Sequence, residues 1–215
     1  MIRKTCLCIR VRLFFSTKID LTKRFWQFRF ENSRKYSAFR VPNGHFHFKY
    51  VPFGLKNSPS YFNRTIRRVL NGLDNVVFYF DDICVFNDDW ESHLISVRNV
   101  FQRLKEYGLT IKPAKLEMAF KKITFLGHVI GSGMMEPDPT NIEKIIKLKI
   151  PSNKKEVRAL LGLANYYSKF IPAFDNLVFP LTQLLGKGTA TRVTWNHECD
   201  VSLKKFRFTC RGHLF

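Results

Sequence analysis

The stretch Val76-Val77-Phe78-Tyr79-Phe80-Asp81-Asp82-Ile83-Cys84-Val85-Phe86 places two adjacent carboxylates in the middle of an otherwise apolar run. Runs rich in β-branched and aromatic residues read as short strands, so this segment predicts a β-hairpin with the acids at its turn. Two like charges ~4 Å apart repel by roughly 4 kcal/mol at an effective dielectric of about 20. A fold that keeps them together is expected to place a cation there. The turn also lacks the Asn-Gly or Gly that makes a two-residue hairpin easy. Strain at a charged tip points to chemistry rather than packing.

Upstream of the hairpin, residues 14–19 read as a buried strand ending at Asp20. Residues 26–30 and 45–51 read as further strands, with a turn at Pro42-Asn43-Gly44. A helix is predicted from Pro59, capped by Ser58, with Phe62, Ile66, Val69 and Leu70 on its apolar face and Asn71-Gly72 as its stop. Downstream, Asp88 and Asp89 favour the start of a second helix lined by Leu94, Val97, Phe101 and Leu104 and closed by Gly108. Residues 123–130 read as a strand. After Pro137-Asp138-Pro139 the periodicity becomes helical, over 140–148, 156–170 and 175–185. Strands crossed by two helices up to about residue 136, then helices alone, predict an α+β domain followed by a small helical subdomain.

If the strand ending at Asp20 pairs with the hairpin, Asp20 converges with Asp81 and Asp82. Three carboxylates form a hard-oxygen site suited to Mg²⁺, and two such ions suit phosphoryl transfer. Taken singly, Asp20 reads equally well as a turn or cap residue.

The composition narrows the partners. The 215 residues include 36 Lys plus Arg against 17 Asp plus Glu, a net charge of +19 and a pI near 10.0. Such an excess favours a polyanion, nucleic acid before anionic membrane, although a merely basic surface would have the same composition. Residues 1–40 are the most basic, with only Asp20 and Glu31 opposing Arg3, Lys4, Arg10, Arg12 and their successors. Aromatic residues such as Phe25, Trp26 and Phe28 interleave with them, as on a surface that tracks a single strand or on alternating strands. Five cysteines without a CxxC spacing argue against a disulfide framework and for a reducing intracellular setting, cytoplasmic or nuclear. Cys6-x-Cys8 with His45-x-His47 does not have the spacing of the common structural zinc sites. No stretch is long and apolar enough for a membrane span, and Arg10 and Arg12 interrupt any signal peptide.

The motifs, in order, resemble the reverse transcriptases of gypsy-class LTR retrotransposons. Phe15-Ser16-Thr17-Lys18-Ile19-Asp20-Leu21-Thr22 with Phe25-Trp26-Gln27 resembles their first palm motif, and residues 51–62 (VPFGLKNSPSYF) their second. Tyr79-Phe80-Asp81-Asp82 is similar to the YxDD box. Phe125-Leu126-Gly127-His128 resembles the strand that grips the primer, and residues 160–172 the helical thumb-and-connection segment. The resemblance implies a right-hand polymerase palm, an antiparallel sheet packed on helices, over residues 14–136. A helical thumb or connection then covers 137–206, between a divergent basic segment at 1–13 and a divergent tail at 207–215.

It implies RNA-directed DNA polymerase activity, with Asp20, Asp81 and Asp82 as the catalytic and metal site for two Mg²⁺ ions, Mn²⁺ being an alternative. Phe25, Phe53, Gly54 and Arg24 would contact the deoxynucleoside triphosphate, with Phe25 excluding a 2′-hydroxyl. A core aromatic is the other reading of Phe25. Lys56, Asn57, Tyr79, Leu126, Gly127 and His128 would contact an RNA or DNA primer–template. Lys115 is either a proton donor to pyrophosphate or a solvated lysine.

Residues 1–13 do not resemble the fingers region expected upstream of the first motif, and Arg24 stands where the family usually has a small residue. The expectation is therefore a Pol polyprotein fragment lacking fingers and RNase H. Two readings follow: a polymerase domain, or an inactive relic that binds nucleic acid.

Overall fold

The computed structural model describes residues 14–30, 33–131, 134–186 and 193–212. They form two units, one running to Phe125 and including Ile130–Met135, the other comprising Leu126–Val129 and the residues from Glu136 on. The expectations placed on residues 1–13, including those for Cys6 and Cys8, lie outside the described residues.

The first unit is built on a four-stranded antiparallel sheet of β1 (Phe15–Asp20), β4 (Val76–Tyr79), β5 (Asp82–Asn87) and β6 (Glu117–Phe120), in the order β4-β5-β1-β6. A two-stranded hairpin, β2 (Phe39–Val41) and β3 (Gly44–Phe46), turns at Pro42-Asn43 as the sequence predicts. Two helices complete the unit, α1 (Ser58–Val69) and α2 (Trp90–Glu106).

Alternation along a strand decides which way each side chain points. Ile19 pairs with Ile83 and Thr17 with Val85, and these residues face the helices. Ile19, Ile83 and Val85 form one core with Phe62, Ile66 and Val69 of α1 and Val97, Val100 and Leu104 of α2. Burying each of these side chains contributes about 1.5–3 kcal/mol. Asp20 and Asp82, one residue out of phase, therefore project from the opposite face.

Several predicted elements differ, among them the strand expected over 45–51, which is confined to Gly44–Phe46. Residues 24–27 form a 3-10 turn where a strand was expected, leaving only an isolated bridge between Arg29 and Tyr50. The cause is a distant partner: Gln27 Oε1 accepts from Thr110 N at 2.6 Å, and Gln27 Nε2 donates to the carbonyls of Thr22 and Thr110. On α1, Ser58 is the first helical residue rather than the cap, and its hydroxyl donates to Pro52 O at 3.3 Å. On α2, capped by Asp89, the buried stripe is His93, Val97, Val100 and Leu104, while Leu94 is exposed. A polar residue takes the buried place because its ring is bonded on both sides. His93 Nε2 lies 2.7 Å from Thr17 Oγ1, and Nδ1 lies 3.2 Å from Asn87 Oδ1.

The expected strand over 123–130 is instead a hairpin of β7 (Lys122–Phe125) and β8 (His128–Gly131), joined by β9 (Met134–Pro137) in a three-stranded sheet. Gly131, at φ 151°, admits no side chain, since a Cβ there would fall 2.0 Å from Lys121 O.

The second unit carries α3 (Pro139–Ile146), α4 (Lys154–Tyr166), α5 (Phe174–Gln183) and α6 (His197–Gly212). Its core gathers Ile142, Ile145, Leu160, Tyr167, Leu181 and Leu203. Phe206 and Cys210 belong to the same core, so α6 runs on to Gly212, into the segment read from sequence as a divergent tail. Among the described residues no helix is long and apolar enough to cross a membrane.

Candidate active site

Register brings the first two acids together. In the antiparallel pairing of β1 with β5, Asp20 stands directly opposite Asp82. Tyr79 pairs with Asp82 across the hairpin, so Phe80 and Asp81 form its two-residue turn. Phe80 takes φ 52°, a left-handed value that glycine usually fills. The turn is tied to the end of β1 by Leu21 N donating to Asp81 O at 2.9 Å. On the other side of β1, Lys112 N donates to Asp20 O at 2.8 Å and Leu21 bridges to Ile111. All three carboxylates thus belong to one end of one sheet.

Cationic side chains engage two of them. Arg24 Nη2 lies 2.5 Å from Asp81 Oδ1, and its guanidinium carbon is 5.8 Å from the centroid of the Phe80 ring. Lys115 Nζ donates to Asp20 Oδ2 at 2.8 Å, a hydrogen bond that, with the charge of Asp20, raises the lysine pKa. Burial pushes the Asp82 carboxyl above its ordinary value; Lys18 and Lys115 pull it back, and the charges of Asp81 and Asp20 push it further up. Carboxylate oxygens alone are the donor chemistry of a hard divalent cation. Among the described residues, no group of three His, Cys, Asp or Glu side chains is placed to hold a metal ion. The donor chemistry of the three acids, rather than their placement, is what suits such an ion.

The remaining predicted residues fall in four places. Phe25 is only 7% exposed and packs edge-on against Phe53 and Phe62, with centroids 5.3 and 5.6 Å away. Phe53 is 57% exposed, beside Trp26, an interleaved aromatic of the first motif to which no site role was given, 53% exposed and with ring centroids 5.7 Å apart. The signal for Trp26 was its place between Phe25 and Gln27 in the first motif. Gly54 follows at φ 89°. Lys56 and Asn57 line a groove of about 790 Å³ with Arg29, Tyr36 and Tyr61. Tyr79, half-buried, packs its ring against Phe80 at 4.7 Å.

Leu126 and Gly127 form the turn between β7 and β8, both left-handed at φ 49° and 70°, as a type I′ turn requires. Leu126 O accepts from Tyr166 OH and, at 2.8 Å, from His128 Nδ1. Gly127 O accepts from Tyr167 OH at 3.3 Å and from Asp138 N at 3.0 Å. His128 is 2% exposed, and its ring holds the turn from inside. Burial lowers its pKa, and with Nδ1–H on a carbonyl, Nε2 carries no proton and has no hydrogen-bond partner.

An antiparallel sheet backed by helices on one face, with carboxylates at the end of its central strands on the other, is the palm of a template-directed polymerase. The reverse transcriptase (RNA-dependent DNA polymerase) family model matches residues 12–130, more than half of the chain, and the chain belongs to that family.

Two relatives place it among LTR retrotransposon sequences. It is 37% identical over 178 residues to the retrovirus-related Pol polyprotein from transposon 297 of Drosophila melanogaster, covering 81% of this chain and 17% of that one. It is 35% identical over 174 residues to the transposon Tf2-3 polyprotein of Schizosaccharomyces pombe, covering 80% and 13%. The chain therefore spans less than a fifth of either polyprotein.

Solved structures agree on the fold. A foamy viral protease-reverse transcriptase in complex with double-stranded DNA matches with a TM-score of 0.86 at 25% identity, over 94% of this chain and 36% of that one. A foamy viral protease-reverse transcriptase in complex with an RNA/DNA hybrid matches at 0.84 and 25%, over 96% and 28%.

Proposed function

We propose that the chain is the palm and helical thumb or connection of a gypsy-class retrotransposon reverse transcriptase, extending a DNA primer on an RNA or DNA template. The observation that carries this reading is the register of Asp20 on Asp82 with Asp81 in the adjoining turn. In the reaction the primer 3′-hydroxyl oxygen bonds to the α-phosphorus of a deoxynucleoside triphosphate, the hydroxyl proton is lost and pyrophosphate leaves. Asp20 and Asp81 would hold two Mg²⁺ ions, or Mn²⁺ in their place, with Asp82 supporting them. Such ions, when bound, supply charge neutralisation at the phosphate and a more acidic hydroxyl.

The chain's own residues would do the rest. The exposed Phe53 ring and the Gly54 backbone offer a face to the nucleotide, and Phe25 shapes that face from below. Lys56 and Asn57 would meet the template, and the Leu126–Gly127 turn the primer. Nucleic acid as partner is supported by the net charge of +19 and by the complexes of the foamy viral enzymes. The buried thiols of Cys199 and Cys210 fit an intracellular setting.

Primer extension with Mg²⁺ on an RNA template tests the reading. Asp81→Asn should lower the rate by about a thousandfold or more. Full extension by that variant, or none by the unmutated chain, would overturn it. One observation favours a second reading, a binding-only relic: Arg24 and Lys115 already neutralise two of the acids. In that case nucleic-acid binding survives Asp20→Asn and Asp81→Asn without extension, with a log–log salt slope of about −0.7 per phosphate neutralised on a single strand.

A further inference from the structure

Arg24 sits in an unusual backbone. It and Lys23 have successive left-handed φ values, 38° and 53°, at the start of the 3-10 turn. L-residues with side chains disfavour this region, and two in a row resist it more. Glycine would fit there without strain. What this chain gains from arginine at that position is an ion pair. The side chain reaches the hairpin turn, sets Nη2 2.5 Å from Asp81 Oδ1 and lies over the Phe80 ring. A single positive charge thus takes the carboxylate that a divalent ion would need.

The pair is partly open to solvent, with Arg24 42% and Asp81 21% exposed. An ion pair in that setting is weak and exchanges with other cations. Lys115 stands to Asp20 in the same relation, at 2.8 Å, on a lysine 56% exposed. The two differ in how they are held. Lys115 is a flexible, well-solvated ammonium, whereas Arg24 is confined by its turn and by the Phe80 ring, and a guanidinium keeps its charge at every accessible pH.

We infer that Arg24 is an internal counter-cation that competes with divalent metal for Asp81 and so sets how much metal the site needs. The inference rests on the metal-binding reading of the acids given above. It makes Arg24 a regulator of the site's occupancy, acting through Asp81, and requires the guanidinium to leave Asp81 whenever the metal is bound.

The test is Mn²⁺ binding to the full chain, read from the electron paramagnetic resonance of the free ion, with no substrate or activity involved. Arg24→Gln should tighten binding about five- to tenfold, while Arg24→Lys, which keeps the charge, should stay within about twofold of the parent. Arg24→Gly, which suits the positive φ and should keep the fold, is expected to tighten binding as Gln does. In an Asp81→Asn background, Arg24→Gln should change nothing. Equal, measurable Mn²⁺ affinity for the parent, Arg24→Gln and Arg24→Gly, with unchanged circular dichroism, would overturn the inference and leave the metal site standing. Absence of Mn²⁺ binding in all of them would overturn both.

Discussion

Two turns in this chain solve the same backbone problem with opposite chemistry. Phe80–Asp81 in the first unit and Leu126–Gly127 in the second are both two-residue hairpin turns with a bulky residue at positive φ. The first is surrounded by ionised side chains: Asp81 on Arg24, and Asp20 on Lys115. Neutral groups hold the second, the hydroxyls of Tyr166 and Tyr167 and the buried His128 ring, all donating to its two carbonyls. Strain held by exposed charges can be released by an ion, by salt or by a ligand. Strain held by buried neutral bonds persists in all those conditions. The first turn can therefore respond to its ionic surroundings, and the second keeps its geometry in them.

The largest expected effect bears on the second turn. His128→Ala removes a fully buried ring and one donor to Leu126 O, and should lower the unfolding free energy by about 2–4 kcal/mol in urea denaturation. A loss as small as that of an exposed substitution would mean the turn is not held from inside. Tyr166→Phe deletes a single donor and should cost about 1 kcal/mol in the same assay, with little dependence on salt between 0.1 and 1 M. Strong salt dependence would erase the contrast between the turns.

The first turn should behave in the reverse way. Charging Asp82 is disfavoured in the folded state because its pKa is raised, chiefly by burial. Its ionised form therefore subtracts from stability at neutral pH, and the penalty disappears as pH falls to the unfolded value of 3.8. Asp82→Asn should raise the melting temperature at pH 7 by about 1–2 °C, discounted for its partial exposure, while lowering primer extension. A fall in melting temperature would show that the acids stabilise the fold.

The smallest effect is a pH dependence common to both units. Burial lowers the pKa of His93 in one unit and of His128 in the other. A depressed histidine binds its proton more readily in the unfolded chain. The stability it contributes is full above the ordinary value of 6.5 and is lost as pH falls from there through the lower folded value. Urea midpoints should fall between about pH 6.5 and 5, and His128→Asn should flatten the slope. An unchanged slope would mean that the ring is not held neutral.

Much of this was legible in the sequence, and the exceptions share a cause. The strand ending at Asp20, the acidic hairpin and the apolar face of α1 follow from local pattern, because alternation and helical spacing dominate there. The strand expected over 26–30 failed because Gln27 bonds to Thr110, a partner that no local window contains. The stripe on α2 was misjudged because His93 is made acceptable in the core by Thr17 and Asn87 from other elements. The strand over 123–130 broke where Leu126 adopts a φ that leucine avoids, stabilised by tyrosines far along the chain. At the site, carboxylate placement followed from pairing and parity. The partner of Arg24 could not be read, since it depends on a reach from one turn to another.

The most direct test is anomalous diffraction at the manganese edge from crystals of the chain soaked with Mn²⁺. The account predicts manganese within coordination distance of the Asp20 and Asp81 carboxylates, with Arg24 turned away from Asp81. Manganese absent from those carboxylates, in a protein that extends a primer in Mn²⁺, would contradict it.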